Sequence, residues 1–154
     1  MKGQSYHDYL KVLGELNLHS FSFTLLRDHF IPELLGREQQ TILYWGGKQL
    51  ARKFRLSSLE ELISFFQTAG WGHLQIVHQK KNEMELELTS KLIEERMKLS
   101  PDLSFQLEAG FIAQQIEQMK GFVTEAHEEI KKRANKVIIT VKWDEKDTVQ
   151  PVLP

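Results

Sequence analysis

The sequence predicts an α+β fold in which several helices pack on an antiparallel sheet. Apolar residues recur at helical spacing through roughly the first 70 positions and again over 106–120, whereas strict alternation appears at 74–88 and 137–143. The 154 residues hold 41% hydrophobic and 27% charged side chains, the balance of one globular domain. A chain of this size buries roughly 68–70% of its unfolded surface and needs no disulfide or metal to hold a core. Zero cysteines exclude a disulfide scaffold, zinc ribbons, iron–sulfur ligation and thiol chemistry. A net charge of −1 offers no general attraction to nucleic acid. No apolar run approaches the ~20 residues that span a bilayer, and MKGQSYHDYL lacks the apolar stretch of a signal peptide. The expectation is a cytoplasmic protein without membrane insertion.

Tyr6, Tyr9, Leu10, Leu13 and Leu16 predict a short amphipathic helix over 5–16. Phe23, Leu26, Phe30, Ile31, Leu34 and Leu35 predict a longer one from about Ser22 to Leu35, capped by Gly36, in which Pro32 either kinks the helix or begins a new turn. From Gln39 to Phe54 a third helix places Leu43, Gly46, Gly47, Leu50 and Phe54 on one side, and its paired glycines mark a close approach by another backbone or a ligand. Ser57 and Ser58, each followed three residues on by Glu60 and Glu61, have capping-box spacing for a helix with stripe Leu59, Leu62, Ile63 and Phe66 up to Gly70.

Leu74, Ile76 and His78 then share one strand face, Lys80-Lys81-Asn82 turns, and Met84, Leu86 and Leu88 alternate with Glu83, Glu85 and Glu87 in a hairpin. Residues 91–99 are ambiguous and Ser100-Pro101-Asp102 is a turn. Over 106–120 a helix turns Ala109, Ile112, Ala113, Ile116 and Met119 inward and stops at Gly121. Val137, Ile139, Val141 and Trp143 define a last strand, so the domain runs over 1–144 with a polar tail over 145–154. Over Phe122–Ala134, helix propensity opposes a strand-like parity of Phe122, Thr124, Ala126 and Ile130.

Leu26-Arg27-Asp28, Pro32-Glu33-Leu34-Leu35-Gly36, Ile42-Leu43-Tyr44-Trp45-Gly46-Gly47-Lys48 and the run from Ser104 to Gln115 resemble the YslB-like family of uncharacterised small proteins from Bacillus-type bacteria, over about Ser20 to Asp144. The order of elements also resembles the superfamily of TRAPP vesicle-tethering subunits, 4-vinyl-reductase-type domains and haem nitric-oxide-binding domains. That resemblance implies helices on a four-stranded antiparallel sheet, 122–131 as its third strand, and an apolar pocket between helices and sheet. The missing cysteines remove the acyl-carrying cysteine of some TRAPP subunits and the cysteine-rich metal site of many 4-vinyl-reductase-type domains.

The histidines His7, His19, His29, His73, His78 and His127 show no metal-ligand spacing, and neither G-x-S-x-G nor a phosphate loop occurs. His78 on an apolar strand face reads as a core-edge residue, with haem ligation as the sharper alternative. Lys48, Arg52, Lys53 and Arg55 form either a solvated helix face or an anion-recognising rim. Glu108 lies in an apolar stretch at a helix start, with Arg96 as a plausible partner. No catalytic set, metal site or defined cofactor follows.

The expected function is a non-catalytic domain that binds a small apolar or amphipathic ligand and forms a homodimer. Gly46, Gly47, Ala109, Gly110 and Ala113 would open a slot, with Trp45, Gly47, Lys48, Trp71, Phe111 and Ile112 as its ligand-binding residues. The alternative is a protein–protein or scaffold module without a small ligand, and an enzyme acting on a hydrophobic carboxylate or ester is a third reading. Leu10, Leu13, Leu16, Leu18, Phe21 and Phe23 are the expected dimer face.

Overall fold

The computed structural model describes residues 3–149. Helix α1 (Tyr6–Leu13) starts at a capping box in which Ser5 and Asp8 bond each other's backbone N–H, at 3.2 and 2.9 Å. The next helical stretch is continuous but composite: α2 (Ser20–Thr24), a π turn (Leu25–Phe30), α3 (Ile31–Leu35) and a 3₁₀ turn (Gly36–Glu38) leading into α4 (Gln39–Lys53). The expected kink takes the form of that π turn. Pro32 has no N–H for the carbonyl four residues back, and the ladder widens just before it.

Ser58 caps α5 (Leu59–Thr68) by accepting from the Glu61 N–H at 3.1 Å. Strands β1 (His73–Gln79) and β2 (Glu83–Thr89) form the expected hairpin. Ser90 accepts from the Ile93 N–H at 3.0 Å, and this cap turns the ambiguous 91–99 into helix α6 (Lys91–Leu99). Helix α7 (Gln106–Lys120), β3 (Phe122–Lys131) and β4 (Lys136–Thr148) complete the chain, with strand order β1-β2-β4-β3 and every pair antiparallel.

The fold class is therefore the expected one, and 122–131 is strand despite its helix propensity. Pairing of Thr124 through Lys131 with β4 supplies the ladder that overrides it. Strand β4 runs past the expected boundary at Asp144, because Thr148 still faces Phe122 and the Val149 N–H donates to the Gly121 carbonyl at 2.9 Å. Residues 150–154, the rest of the expected tail, lie outside the described residues.

One sheet face carries Leu74, Met84, Leu86, Leu88, Val137, Ile139, Val141 and Trp143 into the core against α5 and α7. Helix α4 covers α7 on its other side, so every α7 residue from Glu108 to Ile116 is buried. The two glycines of this contact answer each other. A Cβ on Gly47 would overlap the Leu107 carbonyl and stand 2.7 Å from the Phe111 nitrogen, and one on Gly110 would overlap the Tyr44 carbonyl. The small residues thus close α4 onto α7 at backbone distance; they do not open a slot between them.

Candidate functional site

Helix Ser20–Leu35 has two apolar columns in its sequence, and only one can face the body. The inward column is Phe23, Arg27, Ile31 and Leu35, with Arg27 buried and the others half-buried. The outward column is Leu26, Phe30 and Leu34, which are 59%, 55% and 67% exposed, flanked by exposed Phe21 and Leu25. The residues whose spacing predicted this helix, Phe23, Leu26, Phe30, Ile31, Leu34 and Leu35, are therefore divided between two faces. The helix is inside out: it sends charge inward and large apolar side chains toward solvent.

The π turn makes this possible by pointing two consecutive residues, Arg27 and Asp28, at the body. Arg27 donates to the Ser104 carbonyl at 3.2 Å and pairs with Glu108 at the start of α7. Asp28 accepts a two-pronged bond from Arg96 of α6, at 2.9 and 2.8 Å. The expected partnership of Glu108 with Arg96 is therefore exchanged. The Arg96 guanidinium is held 5.1 Å from the ring centres of both Phe23 and Phe105, which fixes it against Asp28.

The same hub extends to the sheet. Glu128 of β3 accepts from the Phe105 N–H at 2.6 Å and from the Gln106 side chain at 3.2 Å, and the Ser104 hydroxyl donates to Gln40 at 2.7 Å. Burial pushes the Glu128 carboxyl up to about 7, against the pull of its two hydrogen bonds. Glu108 is fully buried, and its second carboxylate oxygen has no protein partner.

Of the expected site residues, Gly47 meets the backbone of Phe111 and Phe111 meets Trp71, inside the packed body. Trp45 is 61% exposed on α4, whereas Trp71, Phe111 and Ile112 are buried in the core, where Phe111 and Trp71 meet edge to face at 5.1 Å. Gly47 abuts α7. Lys48 is spent on Glu125 at 3.0 Å and lies over the Tyr44 ring, while the Tyr44 hydroxyl donates to Glu125 and accepts from the Ala126 N–H at 3.0 Å. Burial and the neighbouring carboxylate raise the Tyr44 hydroxyl above its ordinary range. Of the expected basic rim, Arg52, Lys53 and Arg55 remain exposed.

His78 is exposed and is not a core-edge residue, because a bulge between Ile76 and His78 breaks the strand parity. Among the described residues no group of His, Asp or Glu has metal-binding geometry, and no helix is long and apolar enough to cross a membrane. An apolar recess of about 160 Å³ opens where α1 meets α5, lined by Tyr6, Tyr9, Phe54, Phe65, Thr68 and Ala69.

Sequence reasoning did not find Glu128 or the inverted helix. Glu128 had a signal, since it shares the parity of Thr124, Ala126 and Ile130 and so points to the core face. The inverted helix had only a faint one, the adjacent opposite charges Arg27 and Asp28.

Residues 20–142 match the model of a family described as a protein of unknown function, DUF2507. The chain is 47% identical over 137 residues to the uncharacterised protein YslB of Bacillus subtilis, covering 89% of this chain and 93% of that protein. A vinyl-4-reductase family protein from Methanocaldococcus jannaschii has the same fold, with a TM-score of 0.64, 17% identity and coverage of 88% of both chains. So does the phenol-responsive sensory domain of the transcription activator PoxR, solved with phenol, with a TM-score of 0.58, 14% identity and coverage of 83% of this chain and 76% of that one.

Proposed function

Because the chain belongs to the DUF2507 family of proteins of unknown function, we propose its function from its geometry: a non-catalytic assembly domain that forms a homodimer through the outward face of the Ser20–Leu35 helix. The observation that carries this reading is the helix's inverted polarity. Each large apolar side chain left in water forfeits about 1.5–3 kcal/mol of burial. Phe21, Leu25, Leu26, Phe30 and Leu34 stand together on one helix, and Ile42 and Trp45 add exposed apolar surface on α4. A contiguous patch of this kind is the usual mark of an interaction surface. Of the residues expected at the dimer face, Leu10 and Phe23 pack against the core, while Leu13, Leu16, Leu18 and Phe21 are exposed and extend the apolar surface toward the N-terminus.

Sedimentation of the full chain at tens of micromolar tests the proposal. A dimer is expected, and Phe30→Asp is expected to return it to monomer with an unchanged circular dichroism spectrum. A wild-type monomer at that concentration overturns the reading.

A second reading keeps a small ligand, and the aromatic recess between α1 and α5 favours it. Tyr6, Tyr9, Phe54 and Phe65 line it with aromatic rings, and two of its lining residues share a hydrogen bond, from the Tyr6 hydroxyl to Thr68 at 3.0 Å. A single aromatic ring suits that size and chemistry, and the similarity in fold to a domain solved with phenol lends support. Calorimetric titration with phenol checks it: heat that disappears in Ala69→Trp supports the site, and no heat at millimolar phenol removes it.

A further inference from the structure

The outward face of the Ser20–Leu35 helix contains more than apolar surface. Beside the column Leu26, Phe30, Leu34 runs a second exposed column, Leu25, His29 and Glu33, in which a base and an acid stand one turn apart. A two-fold axis crossing the helix at right angles lays each column against its own copy, running in reverse. With residue 31 at the axis, level 29 opposes level 33 of the second copy, and level 33 opposes level 29.

The same register serves the apolar column. Levels 26, 30 and 34 fall between levels 28, 32 and 36 at which the second copy's Leu34, Phe30 and Leu26 arrive, so the two ridges interleave instead of colliding. Parallel pairing has no such match. It sets His29 and Glu33 against the column of Phe30 and Leu34, which removes both from water without a partner.

We propose that two copies of this chain pair their Ser20–Leu35 helices antiparallel about Ile31, with His29 of one protomer against Glu33 of the partner subunit and the reverse. This rests on the homodimer reading above and adds its direction and register. Charge complementarity favours a second copy as occupant, because the reversed column sets the base of each copy against the acid of the other at both symmetric contacts.

The test is the dimer dissociation constant of the full chain by sedimentation equilibrium. His29→Glu alone places two carboxylates at both symmetric contacts and should weaken the dimer roughly tenfold. The exchanged pair, His29→Glu with Glu33→Lys, should return it to within about twofold of wild type. The chain has no cysteine, so a mixture of His29→Cys and Glu33→Cys proteins provides a second readout and should oxidise to a covalent heterodimer. If Phe30→Asp dissociates the dimer but the exchange restores nothing and the cysteines do not join, the register is overturned while the homodimer stands. If the wild type is monomeric, both fall.

Discussion

Helix α7 and the Ser20–Leu35 helix are both rich in apolar residues, yet one disappears into the protein and the other lies across its surface with its greasy side out. Helix α7 is wedged between the sheet and α4, and even its polar Gln114 and Gln115 are buried, with Gln115 bonding the Phe54 carbonyl at 2.7 Å and the Leu56 N–H at 3.1 Å. The Ser20–Leu35 helix is held by two buried ion pairs, Arg27–Glu108 and Asp28–Arg96, and by few inward apolar contacts. The contrast teaches that hydrophobic content does not by itself orient a helix. Here charge placed by a π turn decides which column faces in, and the apolar column is left for something else to cover.

The largest expected effect breaks the charged side of that contrast. Arg27→Met leaves Glu108 buried with neither of its oxygens paired, and removing one partner of a buried pair costs about 3–5 kcal/mol. Denaturant melts of the monomeric Phe30→Asp background, with the slope checked for constancy, give the loss directly. Adding Glu108→Leu to Arg27→Met should recover most of it, because the unpaired charge is then gone. No recovery would mean that the pair also orients the helix.

Next comes the α4–α7 contact. Gly47→Leu forces a side chain onto the Leu107 carbonyl and should lower stability by about 1–3 kcal/mol, whereas an exposed helical glycine would gain up to about 1 kcal/mol from the same change. A stabilised variant would move Gly47 out of the interface and end the comparison with a buried α7.

The effect confined to a window of pH concerns Glu128. Its carboxyl has an ordinary value of 4.5 and lies at about 7 in the folded protein, so the native state holds a proton that the unfolded chain has already released between those pH values. Stability is therefore expected to fall as pH rises from 4.5 to 7 and to level off above. Glu128→Gln should flatten that part of the curve while keeping an acceptor for the Phe105 N–H. An identical slope in the variant would assign the pH dependence to another group.

Much of the fold was legible because it is written in local pattern. Ser58 and Glu61 mark the start of α5, the alternation from Met84 to Leu88 shows which face of β2 is buried, and Gly121, with φ of 80°, stops α7 where expected. Gly46 and Gly47 announced a close approach, although they could not say whether a helix or a ligand would fill it. Less of the site was legible. His78 followed strand parity until a bulge that no residue pattern announces, and Glu108 lay within reach of a plausible but incorrect arginine.

Outside 91–99 and 122–134, the sequence by itself determined element type and order, the sheet-facing residues and the identity of the central helix, since periodicity, caps and turn residues act over a few positions and need no distant partner. Only the tertiary structure decided which column of the Ser20–Leu35 helix points inward, which arginine meets which carboxylate, and that 122–131 is a strand. Those outcomes depend on groups 68 to 81 residues apart, as in Asp28–Arg96 and Arg27–Glu108, and on the β4 ladder. An ion pair or a strand partner is chosen by proximity in space, and helical spacing alone cannot distinguish two apolar columns when both are present.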